Sequence, residues 1–155
     1  MKHFCIYPKE GFFLQRRYDV ICVGQLCADI LVRPVNEKIF TVDSTPVDSM
    51  LLWPGGDAQN ESCVMAKLGM KTALVGKIGR DIWGDAIVDI VTKSGVDLSH
   101  VVRDDMVNTC TSVALIFEDG RRNFLYQGGG NDAFTVEAVS YTHSEPTRRR
   151  GISYA

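Results

Sequence analysis

The residues best suited to chemistry in this chain are an aspartate, a glycine pair and an asparagine. Gly55-Gly56-Asp57-Ala58-Gln59-Asn60 stands directly ahead of a helix-prone segment, and Asp29 lies just beyond an apolar, strand-prone run. Glycine lets backbone N–H groups come close to a ligand, while Asp and Asn side chains supply acceptors and donors matched to hydroxyl groups. Such a set fits a polyol better than a phosphate. The same hexad also has a plainer use, in which the glycines turn the chain and Asn60 caps a helix. A second cluster, Gly128-Gly129-Gly130-Asn131-Asp132, follows a hairpin-like stretch and reads as a connecting loop.

Other chemistries lack their residues. Cys5, Cys22, Cys27, Cys63 and Cys110 are odd in number, irregularly spaced and without a CxxC pair, so they read as reduced thiols of a cytoplasmic protein. His3, His100 and His143 lie far from them in sequence, and no zinc set is expected. The first strand-like run ends in Gly24-Gln25-Leu26-Cys27-Ala28, not in GxGxxG. Gly76-Lys77-Ile78-Gly79 lacks both the spacing and the later acidic partner of a dinucleotide fold, and no GxxxxGK[ST] occurs, which argues against nicotinamide chemistry and a P-loop.

The elements that must carry these residues alternate. Tyr18 to Gly24 is a short apolar run closed by glycine, the pattern of a strand buried on both faces, and Asp29 to Val32 continues extended. The stretch from Arg33 to Trp53 mixes Thr, Val, Phe and Leu with Asp, Asn and prolines, as exposed strands and loops do. A helix is expected from Asn60 to Leu68 with Gly69 closing it, then a buried strand from Thr72 to Gly76, then a helix capped by Asp81 and running to Gly95. That order implies a parallel sheet with helices packed on it. Thr111 to Phe117 and Asn123 to Tyr126, joined through Asp119-Gly120, predict a β-hairpin, an element foreign to a purely doubly wound unit. With the Arg33 to Trp53 stretch it implies a small β-sheet projecting from the α/β body.

Composition bounds the partners. Seventeen Lys and Arg against 19 Asp and Glu in 155 residues give a formal charge of −2, so no basic field draws nucleic acid or anionic lipid. At 45% hydrophobic and 23% charged residues the chain reads as globular. Its length suits one compact unit. Pro8, Lys9 and Glu10 interrupt the region where a signal peptide needs an apolar run, and no stretch is long and apolar enough to span a bilayer, so neither secretion nor membrane insertion is expected.

Taken in order, Gly24 to Asp29, GGDAQN, Gly69, Gly79 with Arg80-Asp81-x-x-Gly84, the segment VALIFEDGRRNFLY and Gly129-Gly130-Asn131-Asp132-Ala133 resemble the N-terminal signature of the ribokinase-like carbohydrate kinases, the PfkB family, from about Tyr18 to Ser140. The resemblance implies a Rossmann-like α/β domain with flanking helices and a small β-sheet lid, its sugar or nucleoside substrate held between lid and body. It places a leader at residues 1–17, the N-terminal part of the kinase domain at 18–140 with lid strands within about 33–53 and 110–127, and a polar tail at 141–155. Asp29 matches the family's aspartate for substrate hydroxyls, and Gly55, Gly56 and Asn60 match the GGxxxN loop lining the same pocket. Lid strands in such proteins often build a homodimer.

Two departures matter. Asp57 and Cys27 stand where ribokinase has lysine and asparagine, which puts ribose in question as the substrate. The family's phosphoryl transfer, with ATP and Mg2+, rests on a C-terminal GAGD segment carrying the catalytic base and on an NxxE near the metal, and neither occurs in these 155 residues. The chain therefore reads as a truncated or alternatively ended version of a longer kinase, its substrate-binding and lid half, with no catalytic or metal residue of its own. The alternative is a non-catalytic sugar-binding or dimerising fragment that regulates a full-length relative.

Overall fold

The computed structural model describes residues 17–135. The tail expected at 141–155 and all but the last residue of the expected leader lie outside the described residues. In chain order the elements are β1 (Val20–Val23), β2 (Cys27–Val35), a short 3-10 turn (Glu37–Phe40), β3 (Ser49–Gly55), α1 (Asp57–Lys67), β4 (Thr72–Gly79), α2 (Ile82–Lys93), β5 (Asp97–Asp104), β6 (Thr111–Phe117) and β7 (Arg122–Gln127). They form two sheets, β1-β4-β5 and β3-β2-β6-β7.

The three-stranded sheet is parallel and forms the body. Its middle strand, β4, carries Ala73, Leu74, Val75 and Ile78, all without exposed surface. Cys22, Leu74 and Ile78 pack with Ala58 and Cys63 of α1 and with Ile87 and Val91 of α2, so both helices lie on one face of this sheet. The opposite face carries Ile21, which is 48% exposed. The expectation that the first strand is buried on both faces is thus corrected for the described residues: among them β1 pairs only with β4, and both helices cover the Cys22 side.

Helix α2 starts where Asp81 is expected to cap it, the carboxylate accepting from the Gly84 N–H at 2.8 Å. Helix α1 differs. It begins at Asp57, three residues ahead of the expected start at Asn60, with Gly56 as its N-cap at φ 86° and no side-chain cap. Gly69 closes it at φ 87°. β5 carries no periodic signal in the sequence, because Asp97, Ser99, His100, Arg103 and Asp104 break its apolar run. Pairing with β4 recruits it nonetheless, and the Tyr18 hydroxyl, donating to Asp97, fastens the entry to β1 across the sheet. That donor, with the Ser99 N–H, holds the Asp97 carboxyl down to about 2.

The second sheet is mixed. β2 pairs antiparallel with β3 and parallel with β6, and β6 and β7 form the expected hairpin, whose turn takes a positive φ at Gly120. Strand β2 joins the two halves of the molecule: Ala28 near its start belongs to the body core, whereas Val32 and Val35 pack with Phe117 in a separate small core. Among the described residues no helix is long and apolar enough to cross a membrane.

Candidate functional site

Asp29 follows Ala28 on β2, one residue beyond the last body-core position of that strand. In the sheet register it stands opposite Trp53 of β3 on one side and Ser112 of β6 on the other, and Ser112 stands opposite Tyr126 of β7. Paired positions share a face, so Trp53, Asp29, Ser112 and Tyr126 form one row across all four strands. The row is graded: Ser112 is 7% exposed, Trp53 57% and Tyr126 79%. An anionic acceptor beside aromatic faces suits a ring that presents C–H surfaces and hydroxyl edges.

The glycine pair closes onto this aspartate. Gly55 ends β3 opposite Cys27, and a Cβ at Gly55 would collide with the Asp29 carboxylate. Gly56 takes φ 86°, and a Cβ there would strike the Gln25 carbonyl oxygen. The loop Gly24-Gln25-Leu26 therefore nests against the turn into α1, held further by the Gln59 N–H donating to the Gln25 carbonyl at 3.4 Å. These glycines are required by close approach, to the Asp29 carboxylate at Gly55 and to the Gln25 carbonyl at Gly56.

Asn60 sits apart from that contact. It is exposed in the first turn of α1, its N–H bonded to the Gly56 carbonyl at 3.0 Å. The idea that it caps the helix is overturned, since capping falls to Gly56 and uses no side chain. Asp29, Gly55 and Gly56 are thus brought together at one turn, and Asn60 stands on the helix that this turn opens.

Three residues that the sequence does not single out complete the surroundings. The Ser112 hydroxyl donates to Asp29 Oδ1 at 2.6 Å. Its sequence signal is slight, a polar residue at the start of the apolar run Val113 to Phe117, and its partner is 83 positions away. Gln59 is fully buried, donates through Nε2 to the Cys27 carbonyl at 3.4 Å, and leaves Oε1 without a protein partner among the described residues. Cys110 brings its sulfur to 3.2 Å from that of Cys27. Burial pushes the Cys27 thiol well above its ordinary range, reinforced by Cys110 and by the Asp29 carboxylate, so the thiol beside the site is neutral.

The other motifs serve the scaffold. Asp81 accepts from the Thr109 N–H at 2.8 Å and the Thr109 hydroxyl at 2.7 Å, and that hydroxyl accepts from the Gly79 N–H at 3.0 Å. Partial burial works to raise the Asp81 carboxyl, yet these donors and Gly84 hold it below the usual carboxylate range. A Cβ at Gly84 would lie 2.9 Å from the Thr109 hydroxyl and would strike the Gly79 carbonyl oxygen. Gly79, Asp81 and Gly84 therefore tie α2 to the loop that feeds β6. The triple-glycine segment runs from β7 back to the body: the Gly130 N–H donates to the Asn108 carbonyl at 2.7 Å, and Asn131 Oδ1 accepts from the Leu26 N–H at 3.1 Å.

Comparison with known proteins agrees with this architecture. The profile of the pfkB family carbohydrate kinases matches residues 17–147. A probable fructokinase-5 of Arabidopsis thaliana is 31% identical over 107 residues, 69% of this chain and 32% of that protein. A 5-dehydro-2-deoxygluconokinase of Geobacillus thermodenitrificans is 34% identical over 94 residues, 58% of this chain and 25% of its own length. Among solved structures, Arabidopsis thaliana ribokinase complexed with ribose and ATP superimposes with a TM-score of 0.61 at 26% identity, covering 72% of this chain and 36% of the ribokinase. A fructokinase from Xylella fastidiosa gives a TM-score of 0.63 at 26% identity, covering 77% of this chain and 35% of the other. The chain spans about a third of the length of such relatives.

Proposed function

The chain belongs to the pfkB family of carbohydrate kinases, and on that premise we propose that it is the substrate-binding and lid part of an ATP-dependent kinase that transfers the γ-phosphate to a hydroxyl of a small sugar or nucleoside. The observation that supports this best is the closure of Gly55 onto the Asp29 carboxylate, which sets an anionic acceptor against bare backbone at the joint between the sheets. Asp29 accepts hydrogen bonds from substrate hydroxyls, Gly55 and Gly56 let the backbone close against Asp29 and the Gln25 carbonyl and so hold the acceptor in place, and Asn60 offers an amide from α1. D-fructose is the first sugar to try, because relatives named fructokinases recur.

In a whole family member ATP supplies the phosphoryl group and Mg2+ offsets its charge. The reading assigns Asp29 and its neighbours to the sugar, and the nucleotide, the metal and the catalytic base to the family's remaining length. The exposed Leu51, Trp53, Phe124 and Tyr126 on the Asp29 face support a second copy of the chain as a neighbour of the lid. Among the described residues the cysteines Cys22, Cys27, Cys63 and Cys110 are free thiols, which supports a reducing, cytoplasmic setting. A second reading, sugar binding without phosphoryl transfer in the service of a full-length relative, is supported by the convergence of Asp29 and the glycines.

The test is a titration of the chain with D-fructose, followed by NMR, together with an assay of ADP release. Asp29→Asn should weaken the sugar at least tenfold, the loss expected for hydrogen bonds to a charged acceptor, with an unchanged urea midpoint. Equal affinity in the variant removes Asp29 from the site. ADP release that depends on sugar supports the kinase; saturable binding without it fits both readings of a chain that carries no catalytic base, and a sugar-dependent change in the turnover of a full-length relative mixed with this chain supports the second.

A further inference from the structure

We propose that Ser112 is a positioning residue for the sugar-binding carboxylate: its hydroxyl fixes the direction in which Asp29 presents its oxygens to substrate hydroxyls. This rests on the reading of Asp29 as a sugar ligand and adds a residue of another strand to that site.

Parallel pairing of β2 with β6 sets Asp29 and Ser112 side by side on one face. The hydroxyl donates to Asp29 Oδ1 at 2.6 Å, a length typical of an O–H donor to an ionised oxygen. Ser112 carries one proton to donate, and this bond uses it. The other oxygen, Oδ2, faces Gly55, where the absence of a Cβ leaves it space. The carboxylate is thus drawn from the β6 side and given room on the β3 side. An aspartate on a strand has alternative rotamers, and the hydrogen bond from the buried Ser112 hydroxyl, a stronger donor than the neighbouring Cys27 thiol, selects among them. On the β3 side the row opens at Trp53, which is 57% exposed.

The consequence is a split between hydroxyl and volume at position 112. Ser112→Ala removes the hydroxyl donor and leaves the charged side chain with the Cys27 thiol alone, a weaker partner. Ser112→Cys keeps the size with a poor donor. Ser112→Thr keeps the hydroxyl on a side chain that strands favour. Titration with D-fructose, and with D-ribose as a second probe, should show affinity lowered about tenfold in the Ala and Cys variants, the scale of a hydrogen bond to a charged group, and restored to within about twofold of the parent in the Thr variant. Urea midpoints measured in parallel identify any variant that fails to fold, and the remaining pair then carries the comparison.

The outcomes separate the two claims. If Asp29→Asn weakens binding while Ser112→Ala and Ser112→Cys stay within about twofold of the parent, the positioning role is overturned and the sugar ligand stands. The positioning role is equally overturned if Ser112→Thr loses as much as Ser112→Ala, since volume and not the hydroxyl then governs the site. If Asp29→Asn leaves affinity intact, or the parent chain binds neither sugar saturably, the underlying reading falls and this inference falls with it.

Discussion

The two sheets bury their strands to very different depths. Leu74, Val75 and Ile78 of β4 have no exposed surface, whereas Phe124, Leu125 and Tyr126 of β7 are 53%, 65% and 79% exposed. Both sheets draw on aliphatic and aromatic residues, so composition alone does not separate them. Position does: β4 is flanked by strands on both sides and covered by two helices, while among the described residues β7 lies at an edge and pairs only with β6. The body therefore holds most of the hydrophobic stabilisation, and the second sheet is left with apolar surface available to a ligand or partner. Asp29 occupies the strand that belongs to both.

The widest contrast comes from truncating one leucine in each sheet. Leu74→Ala should cost about 2–5 kcal/mol, because the cavity opens in a packed interior, whereas Leu125→Ala should stay within about 0.5 kcal/mol. Urea unfolding monitored by circular dichroism measures both. Comparable losses would mean that β7 is covered in solution by a second copy or another partner, and the division between a stable body and an open sheet would not hold.

Glycines sharpen the comparison further, since each region has one that a methyl group would crowd. Gly84→Ala pushes against the Gly79 carbonyl and the Thr109 hydroxyl, inside the knot that ties α2 to β6. Gly55→Ala pushes against the Asp29 carboxylate. Each should cost about 1–3 kcal/mol as an overpacked site. They should differ in binding: Gly84→Ala leaves the affinity for D-fructose unchanged, and Gly55→Ala lowers it at least tenfold by turning Asp29, the scale set by hydrogen bonds to a charged acceptor. Titration of the two folded variants decides, and an equal loss in both would make the two motifs parts of one scaffold.

That pair also marks what a single sequence reveals. Strands β1, β4 and β6, helix α2 and the hairpin turn are legible, because apolar runs, the Asp81 cap and Asp-Gly each act over a few residues. The start of α1 is displaced by three residues, since a glycine pair suggests a loop while Gly56 is itself the cap. β5 is hidden because its hydrogen bonds to β4 depend on a neighbour in space and not on its own mixed side chains. In the candidate site, Asp29 and the glycines stand out in the sequence through their chemistry. Ser112 is not, because parallel pairing brings it to Asp29 across 83 positions and only the register shows it.

Asn60 offers the smallest effect on stability and the cleanest separation of roles. It is exposed on the first turn of α1, the cap is Gly56, and its backbone N–H bonds to the Gly56 carbonyl as any helical amide would. Alanine is the better helix former, so Asn60→Ala should leave stability within about 0.5 kcal/mol or raise it slightly. A substrate amide contact on the same residue predicts a several-fold loss of D-fructose affinity, the scale of one neutral hydrogen bond. Stability unchanged with affinity lowered extends the site from the strand joint onto the helix. Stability and affinity both unchanged confine it to Asp29, Gly55 and Gly56, and make Asn60 part of the solvated face of α1.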